Sequence, residues 1–266
     1  MAESHLLVID VGNSQTTFGL YDLDAGGVTA DDGLIDHWKV ATELGRTDDE
    51  LAGLVGSFFR LARVDLDDLD GVAVCSAVPR VLSTITGMVE RFTDLAPVVI
   101  GPGVKTGMPI RYDNPREAGA DRIANAVAAY ELFGGPAIVV DLGTATNFDI
   151  VSDRGEFLGG AIQPGLEISL DALTRNAAAL ADFELREPRN VIATSTVEGL
   201  QSGAMYGYAA SIDGMVARFR AELGQDATVV ATGGLATLIS PVASSIEHVE
   251  PHLALHGLRI IHSRNT

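Results

Sequence analysis

Apolar residues run from Leu6 to Val11, halt at Asp10-Val-Gly-Asn-Ser14, and resume in alternation at Thr17, Phe18, Leu20 and Tyr21. A short apolar run that ends on turn-forming residues and then alternates predicts a buried strand, a tight turn and a returning strand. The pattern recurs later: Ala137 to Leu142 ends in Asp141-Leu-Gly-Thr-Ala145 and resumes at Asn147, Phe148, Ile150 and Val151. Side by side, the stretch from Leu7 to Gly12 matches that from Ile138 to Gly143, and with one residue fewer in the second turn Phe18 aligns with Phe148. Such self-similarity predicts two duplicated lobes facing a central cleft, not a solenoid, whose period would be about 20 to 50 residues.

Between the hairpins, Leu51, Leu54, Val55, Phe58, Phe59 and Leu61 carry helical spacing over Asp48 to Ala62. A buried-type strand follows at Gly71 to Cys75, a helix at about Val81 to Phe92 behind Pro79, and a strand at Ala96 to Ile100. A loop from Gly101 to Pro115 leads into a helix over about Ala118 to Phe133. This loop and helix start mark the expected lobe boundary, giving lobes of residues 1–116 and 117–266. After the second hairpin come Pro164 to Asn176, a polar loop near Glu187 to Asn190, a long helical stretch from Val197 to Leu223, and a strand at Thr228 to Thr232 meeting Gly233-Gly234. Helices and strands alternate throughout, and the hairpins make each sheet mixed, so the class is α/β.

With 266 residues and 47% hydrophobic content the chain has ample material for a core. Cys75 is the single cysteine and cannot form an internal disulfide; it is expected to be a small buried apolar group. Met-Ala-Glu-Ser-His lacks the basic start of a secretory signal, and no run of about eighteen apolar residues occurs, so a cytoplasmic protein without a membrane span is expected. A net charge of -18 repels phosphate backbones and anionic lipids, which argues against nucleic-acid or membrane partners. Any nucleotide must then be held by backbone donors, a few placed cations and a divalent metal.

A strand ending in Asp10 and turning through Gly12, Asn13 and Ser14 presents a carboxylate beside backbone N–H groups and polar donors. Glycine lets the backbone approach closely, the N–H groups can cradle phosphate oxygens, and the carboxylate can hold magnesium directly or through water. The same residue types also suit an ordinary hairpin turn; the duplication favours the phosphate reading. The Walker and dinucleotide glycine signatures are absent, and Gly101-Pro-Gly103 reads as a loop because Pro102 removes a donor. Gly119-Ala-Asp-Arg122 opens a helix, where Asp121 suits the dipole and Arg122 opposes it, which invites a ligand carboxylate or phosphate as its partner. Val230-Ala-Thr-Gly-Gly-Leu235 ends a strand on two bare glycines, a shape against which a flat base or ribose could lie. His5, His37, His248, His252, His256 and His262 show no metal-ligand spacing and are expected on the surface or at caps.

The order of these motifs resembles the type III pantothenate kinases of the acetate and sugar kinase, heat-shock chaperone and actin superfamily. The likeness runs through Asp10 to Ser14, Arg46-Thr-Asp-Asp-Glu50, Tyr112-Asp-Asn-Pro115, Gly119 to Ala126, Asp141 to Ala145, Gly159-Gly-Ala-Ile-Gln-Pro-Gly165, Thr196 to Gly203 and Ala231 to Leu235. It implies two ribonuclease-H-like, actin-like ATPase lobes and phosphorylation of pantothenate to 4'-phosphopantothenate, the first step of coenzyme A biosynthesis. Asp10, Val11, Gly12, Asn13, Ser14, Gln15, Thr16 and Thr17 would meet ATP and its magnesium, as would Thr144. Asp141 would hold a monovalent cation, potassium or ammonium. Tyr112, Gly119, Ala120, Asp121, Arg122 and Thr196 would bind pantothenate, with Asp121 as catalytic base, and the protein would be a homodimer. One departure stands out: the family's Ile-Gly-Lys-Asn-Thr is Ile192-Ala-Thr-Ser-Thr196 here, without its lysine. Another small-molecule kinase of the superfamily, or an accessory transcription regulator that binds ligand without turnover, are the alternative readings.

Overall fold

The computed structural model describes residues 4–25, 29–176 and 183–266. In chain order the elements are β1 (His5–Val11), β2 (Gln15–Asp22), β3 (Leu34–Ala41), α1 (Asp48–Ala62), β4 (Leu69–Ser76), α2 (Pro79–Phe92), β5 (Val98–Val99), α3 (Ala120–Phe133), β6 (Ala137–Leu142), β7 (Ala145–Val151) and β8 (Phe157–Pro164). Then follow α4 (Leu166–Asn176), α5 (Thr196–Ser202), α6 (Tyr208–Leu223), β9 (Thr228–Thr232), α7 (Ala236–Ile239), β10 (His248–Val249) and α8 (Leu253–Ser263). Both hairpins and the predicted helices form within a few residues of expectation. The long stretch after Val197 is interrupted by a π-helical segment at Gly203–Gly207.

The duplication extends to topology. One five-stranded sheet has the order β3-β2-β1-β4-β5 and the other, read from its opposite edge, β8-β7-β6-β9-β10. In each, an antiparallel three-strand meander is followed by two parallel strands. The register repeats as well, pairing Ile9 with Phe18 and Val140 with Phe148. These are the α/β lobes that the sequence comparison of the two hairpins predicts.

In the first unit, β1 is buried almost throughout, and Phe18, Val55, Phe58 and Ile85 join it in one core. Trp38 stacks on Phe58 with ring centroids 4.8 Å apart. The Arg46-Thr-Asp-Asp-Glu50 motif has a structural explanation: Thr47 N-caps α1 by accepting from the Glu50 N–H, and Glu50 reaches back to the Thr47 N–H at 2.8 Å. Such a reciprocal capping box satisfies two otherwise orphaned donors. In the second unit the core gathers Ile138, Val140, Phe148, Ile212, Val216 and Val229.

The compact units do not divide at 116/117. The first comprises residues 1–132 with 252–266, and the second 133–251. Two helices account for the difference. α3 buries Ile123, Ala124, Val127 and Ala128, and α8 returns to pack on β1, β2 and β4. Gly257 permits the close crossing of α8 and α3, since a Cβ there would stand 2.0 Å from the Ala124 carbonyl oxygen. A reading in chain order misses α8 because its partners lie far away in sequence.

The histidines need a second correction. His248 is exposed and His252 precedes α8 as its cap residue, but His5, His256 and His262 are buried. The His262 ring lies on Gly71, where a Cβ would come 2.4 Å from Nε2. Among the described residues neither ring nitrogen of His256 has a hydrogen-bond partner, and burial pushes its pKa down to about 4. Neutral His256 therefore fills core space at neutral pH. Among the described residues no helix is long and apolar enough to cross a membrane.

Candidate active site

Asp10, half-buried, is the penultimate residue of β1, opposite Cys75 on the parallel neighbour β4. The Cys75 thiol donates to Asp10 Oδ1 at 3.1 Å, so the cysteine is buried as expected but serves as a polar partner too. Burial pushes the Asp10 pKa up to about 6; the thiol hydrogen bond opposes this, and the negative charge of Asp121 adds to it. The first turn of α3 thus brings Asp121 into the electrostatic neighbourhood of Asp10.

The turn after β1 is closed by the Gly12 N–H donating to the Gln15 carbonyl at 3.0 Å. Asn13, Ser14 and Gln15 are exposed, Thr17 is half-buried, and Val11 and Thr16 are buried, so the last two can offer a ligand only backbone groups. Sequence reasoning missed the residue that braces this turn. Thr42, just beyond β3, donates from Oγ1 to the Gly12 carbonyl at 2.8 Å and from its N–H to the Ser14 carbonyl at 3.0 Å. Its hydroxyl also lies 2.9 Å from that of Thr16. No local signal reveals Thr42, because the sheet brings it to the turn from 30 residues away.

At the start of α3, the Gly119 carbonyl accepts the first helical hydrogen bond, from Ile123 at 3.0 Å. A Cβ on Gly119 would come 2.5 Å from Asp121 Oδ1, so glycine gives the carboxylate room against bare backbone. Ala120 is half-buried beside it. Arg122 is 5% exposed and donates through Nη1 to Tyr112 Oη at 2.9 Å, with its guanidinium carbon 5.9 Å from the Tyr112 ring centroid. The two proposed substrate residues therefore meet directly, the phenol accepting from the guanidinium and its ring lying within cation–π range.

In the second unit, Asp141 ends β6 and Thr144 is exposed in the following turn, which the Gly143 N–H closes by donating to the Ala145 carbonyl at 3.1 Å. Two glycines pack this turn from beneath. A Cβ on Gly165 would stand 2.3 Å from the Thr144 carbonyl oxygen, and one on Gly233 (φ +90°) would stand 2.6 Å from Asp141 Oδ1. Gly233 is thus taken up by the cation candidate, while Gly234 keeps open space around it. The Thr146 hydroxyl bonds the Tyr208 hydroxyl below the turn, and Tyr208 donates to the Pro164 carbonyl at 3.2 Å. Thr196 is the exposed first residue of α5, whose N-cap is its neighbour Ser195.

A family model described as type III pantothenate kinase matches residues 6–218. The chain belongs to the type III pantothenate kinase family. A curated type III pantothenate kinase from Frankia alni is 51% identical over 98% of this chain and 99% of its own. Among solved structures, a protein assigned to the Baf family of transcriptional activators from Campylobacter jejuni superposes with a TM-score of 0.61 at 18% identity, covering 97% of this chain and 98% of that one. The ethanolamine utilization protein EutJ from Carboxydothermus hydrogenoformans gives 0.52 at 14% identity over 98% and 89%. These two likenesses speak to the fold; the family assignment rests on the near-full-length sequence match.

The donor set of this type III pantothenate kinase fits cations held by few protein ligands. Among the described residues no three His, Cys, Asp or Glu side chains gather as a metal site. A hard cation that takes one carboxylate and completes its shell with water and phosphate oxygens suits Asp10. A positive charge there would also offset the burial and like-charge repulsion that raise its pKa.

Proposed function

We propose that this chain transfers the γ-phosphoryl group of ATP to the primary hydroxyl of pantothenate, giving 4'-phosphopantothenate for coenzyme A biosynthesis. The observation that carries the assignment of roles is the pairing of two carboxylates with different surroundings. Asp10 lies next to the end of β1 at a turn where Asn13 and Gln15 are exposed, and Asp121 is in the first turn of a helix beside the Tyr112–Arg122 pair.

In this reading Asp121 accepts the proton of the pantothenate hydroxyl as its oxygen attacks the γ-phosphorus, and the bond to the ADP oxygen breaks. Arg122 and Tyr112, with the backbone of Gly119 and Ala120, hold the acid so that its hydroxyl faces Asp121. Thr196 adds an exposed hydroxyl from α5. The turn from Asp10 to Thr17 meets the phosphates, through backbone N–H groups where side chains are buried, and Thr144 meets ATP as well. Asp10 would hold magnesium, directly or through water, and the ion would neutralise charge on the phosphates. Positioning accounts for most of the acceleration, because a loose phosphoryl transfer leaves little covalent work to the protein. Asp141 is proposed as the ligand of a monovalent cation, potassium or ammonium.

The test is ATP-dependent phosphorylation of pantothenate by the purified protein, with and without potassium. Product formation that rises with potassium in the wild type but not in Asp141→Asn is the expected result. A folded protein that binds ATP yet phosphorylates other alcohols in preference to pantothenate would overturn the substrate.

A cytoplasmic homodimer completes the reading. On the second unit Ile162, Val191 and Ile192 are 65%, 65% and 87% exposed, and Val197 is exposed beside them in sequence. Large apolar side chains left in water on one unit support burial by a second copy. Ile162→Glu is expected to convert the dimer to monomer in light scattering, while a wild-type protein of single-chain mass would refute the dimer.

A further inference from the structure

The residues just after α8 grip the loop that leads to Tyr112. The carboxamide of Asn265 pairs with both backbone groups of Lys105: the Lys105 N–H donates to Oδ1 at 3.0 Å, and Nδ2 donates to the Lys105 carbonyl at 3.0 Å. One side chain thereby replaces a neighbouring strand for the length of one residue. The same Nδ2 donates to the Ile261 carbonyl at 2.7 Å, which anchors the group to the last turn of α8. Arg264 donates through Nη1 to the Thr106 carbonyl at 2.5 Å and through Nη2 to Glu131 at 3.2 Å.

Gly107 makes this grip possible. Its φ of +71° suits glycine, and a Cβ would stand 2.6 Å from Arg264 Nη1 and 2.9 Å from Cζ. The guanidinium therefore rests on bare backbone. Met108, the next residue, is buried.

Glu131 and Arg122 are both on α3, nine residues apart (131 − 122), or about 13 Å along the axis at about 1.5 Å per residue. The loop is thus fastened to α3 twice. Arg264 joins Thr106 to Glu131 near the C-terminal end of the helix, and Tyr112 meets Arg122 near its start. An exposed ion pair such as Arg264–Glu131 contributes little energy alone. As one corner of a four-point latch it sets the path of the loop.

We propose that Arg264 and Asn265 are positioning residues for the pantothenate loop, fixing Tyr112 against Arg122 without touching substrate. The proposal rests on Tyr112 and Arg122 being substrate residues. In the full-length protein, Asn265→Ala and Arg264→Ala are each expected to raise KM for pantothenate about 5- to 10-fold, on the scale of one lost hydrogen-bonded constraint. KM for ATP should stay within about 2-fold of wild type, since the Asp10 turn is braced separately by Thr42.

Tyr112→Phe supplies the control, because residues that act in series are not additive. In a Tyr112→Phe background, Asn265→Ala should add less than about 2-fold to KM for pantothenate. Asn265→Asp, which keeps the size but sets a carboxylate oxygen against the Lys105 and Ile261 carbonyls, should raise KM for pantothenate at least as much as Asn265→Ala, whereas Arg264→Lys, which keeps a donor for the Thr106 carbonyl, should recover part of the Arg264→Ala loss and covers the case in which the alanine variants fold poorly. If Tyr112→Phe raises KM for pantothenate but neither Asn265→Ala nor Arg264→Ala does, the latch proposal is overturned by itself. Equal changes in both KM values and in kcat, tracking a fall in Tm, would also overturn it. A silent Tyr112→Phe would overturn the substrate role of Tyr112, and the latch with it.

Discussion

Asp121→Asn is expected to lower kcat for pantothenate phosphorylation by about 10²- to 10⁴-fold, the range for a positioned general base. The substitution keeps shape, so the side chain can stay where it lies close to Gly119, at which a Cβ would stand 2.5 Å from Oδ1. It removes only the capacity to take a proton and the negative charge. KM for ATP is expected to stay level or fall, since Asp121 adds to the electrostatic load on Asp10 and the variant relieves it. Steady-state kinetics with both substrates varied separates these effects. Turnover within about 3-fold of wild type would sink the base assignment. A parallel rise in both KM values with kcat intact would instead make Asp121 a binding group.

The two hairpins were legible because each demands an unusual local pattern: a strand apolar on both faces, stopped by turn residues, and repeated. α1 was legible from the helical spacing of Leu51, Leu54, Val55, Phe58, Phe59 and Leu61, and the structure adds the Thr47–Glu50 cap at its start and Arg63, in the left-handed region at φ 61°, at its end. β3 was not. Alternate residues of that strand, Ile35, His37, Lys39 and Ala41, are exposed, and its polar composition hides the alternation. β8 was missed for its glycines. Gly160 is required there, since a Cβ would stand 1.7 Å from the Phe148 carbonyl oxygen, yet glycine pairs read as loop in a sequence.

At the site, residue types and order were readable and contacts were not. Cys75 meets Asp10 from 65 residues away through the register of a parallel pair, and Thr42 reaches the Gly12 turn from 30 away. Neither follows from spacing along the chain. Successive helix positions diverge by about 100°, so Asp121 and Arg122 point apart. The structure gives that divergence a use: one carboxylate stands against Gly119 near Asp10, and one guanidinium is buried against Tyr112. The helix dipole alone predicts a ligand anion for Arg122, and it does not reveal that the Tyr112 phenol also accepts from the guanidinium.

Asp10→Asn is expected to abolish turnover and to stabilise the free protein. Its pKa is raised from 3.8 to about 6, chiefly by burial, so between those values the native state holds a proton that the unfolded chain has lost. Stability then falls as pH rises through that window, and above about pH 6 the fold carries a buried charge it would be more stable without. The ceiling on that cost is about 3 kcal/mol, at 1.36 kcal/mol per pKa unit. Urea denaturation should find Asp10→Asn more stable than wild type at about pH 8, with the advantage fading toward about pH 4. No gain at about pH 8 would mean that Asp10 is not an electrostatic burden. Magnesium with ATP should reverse the ranking, raising Tm in wild type far more than in the variant, because a bound cation offsets the charge only where the carboxylate remains. A residue that weakens the empty protein and strengthens the loaded one is placed for its ligand, and the buried end of β1 is where the sheet can hold such a charge rigidly against the phosphates.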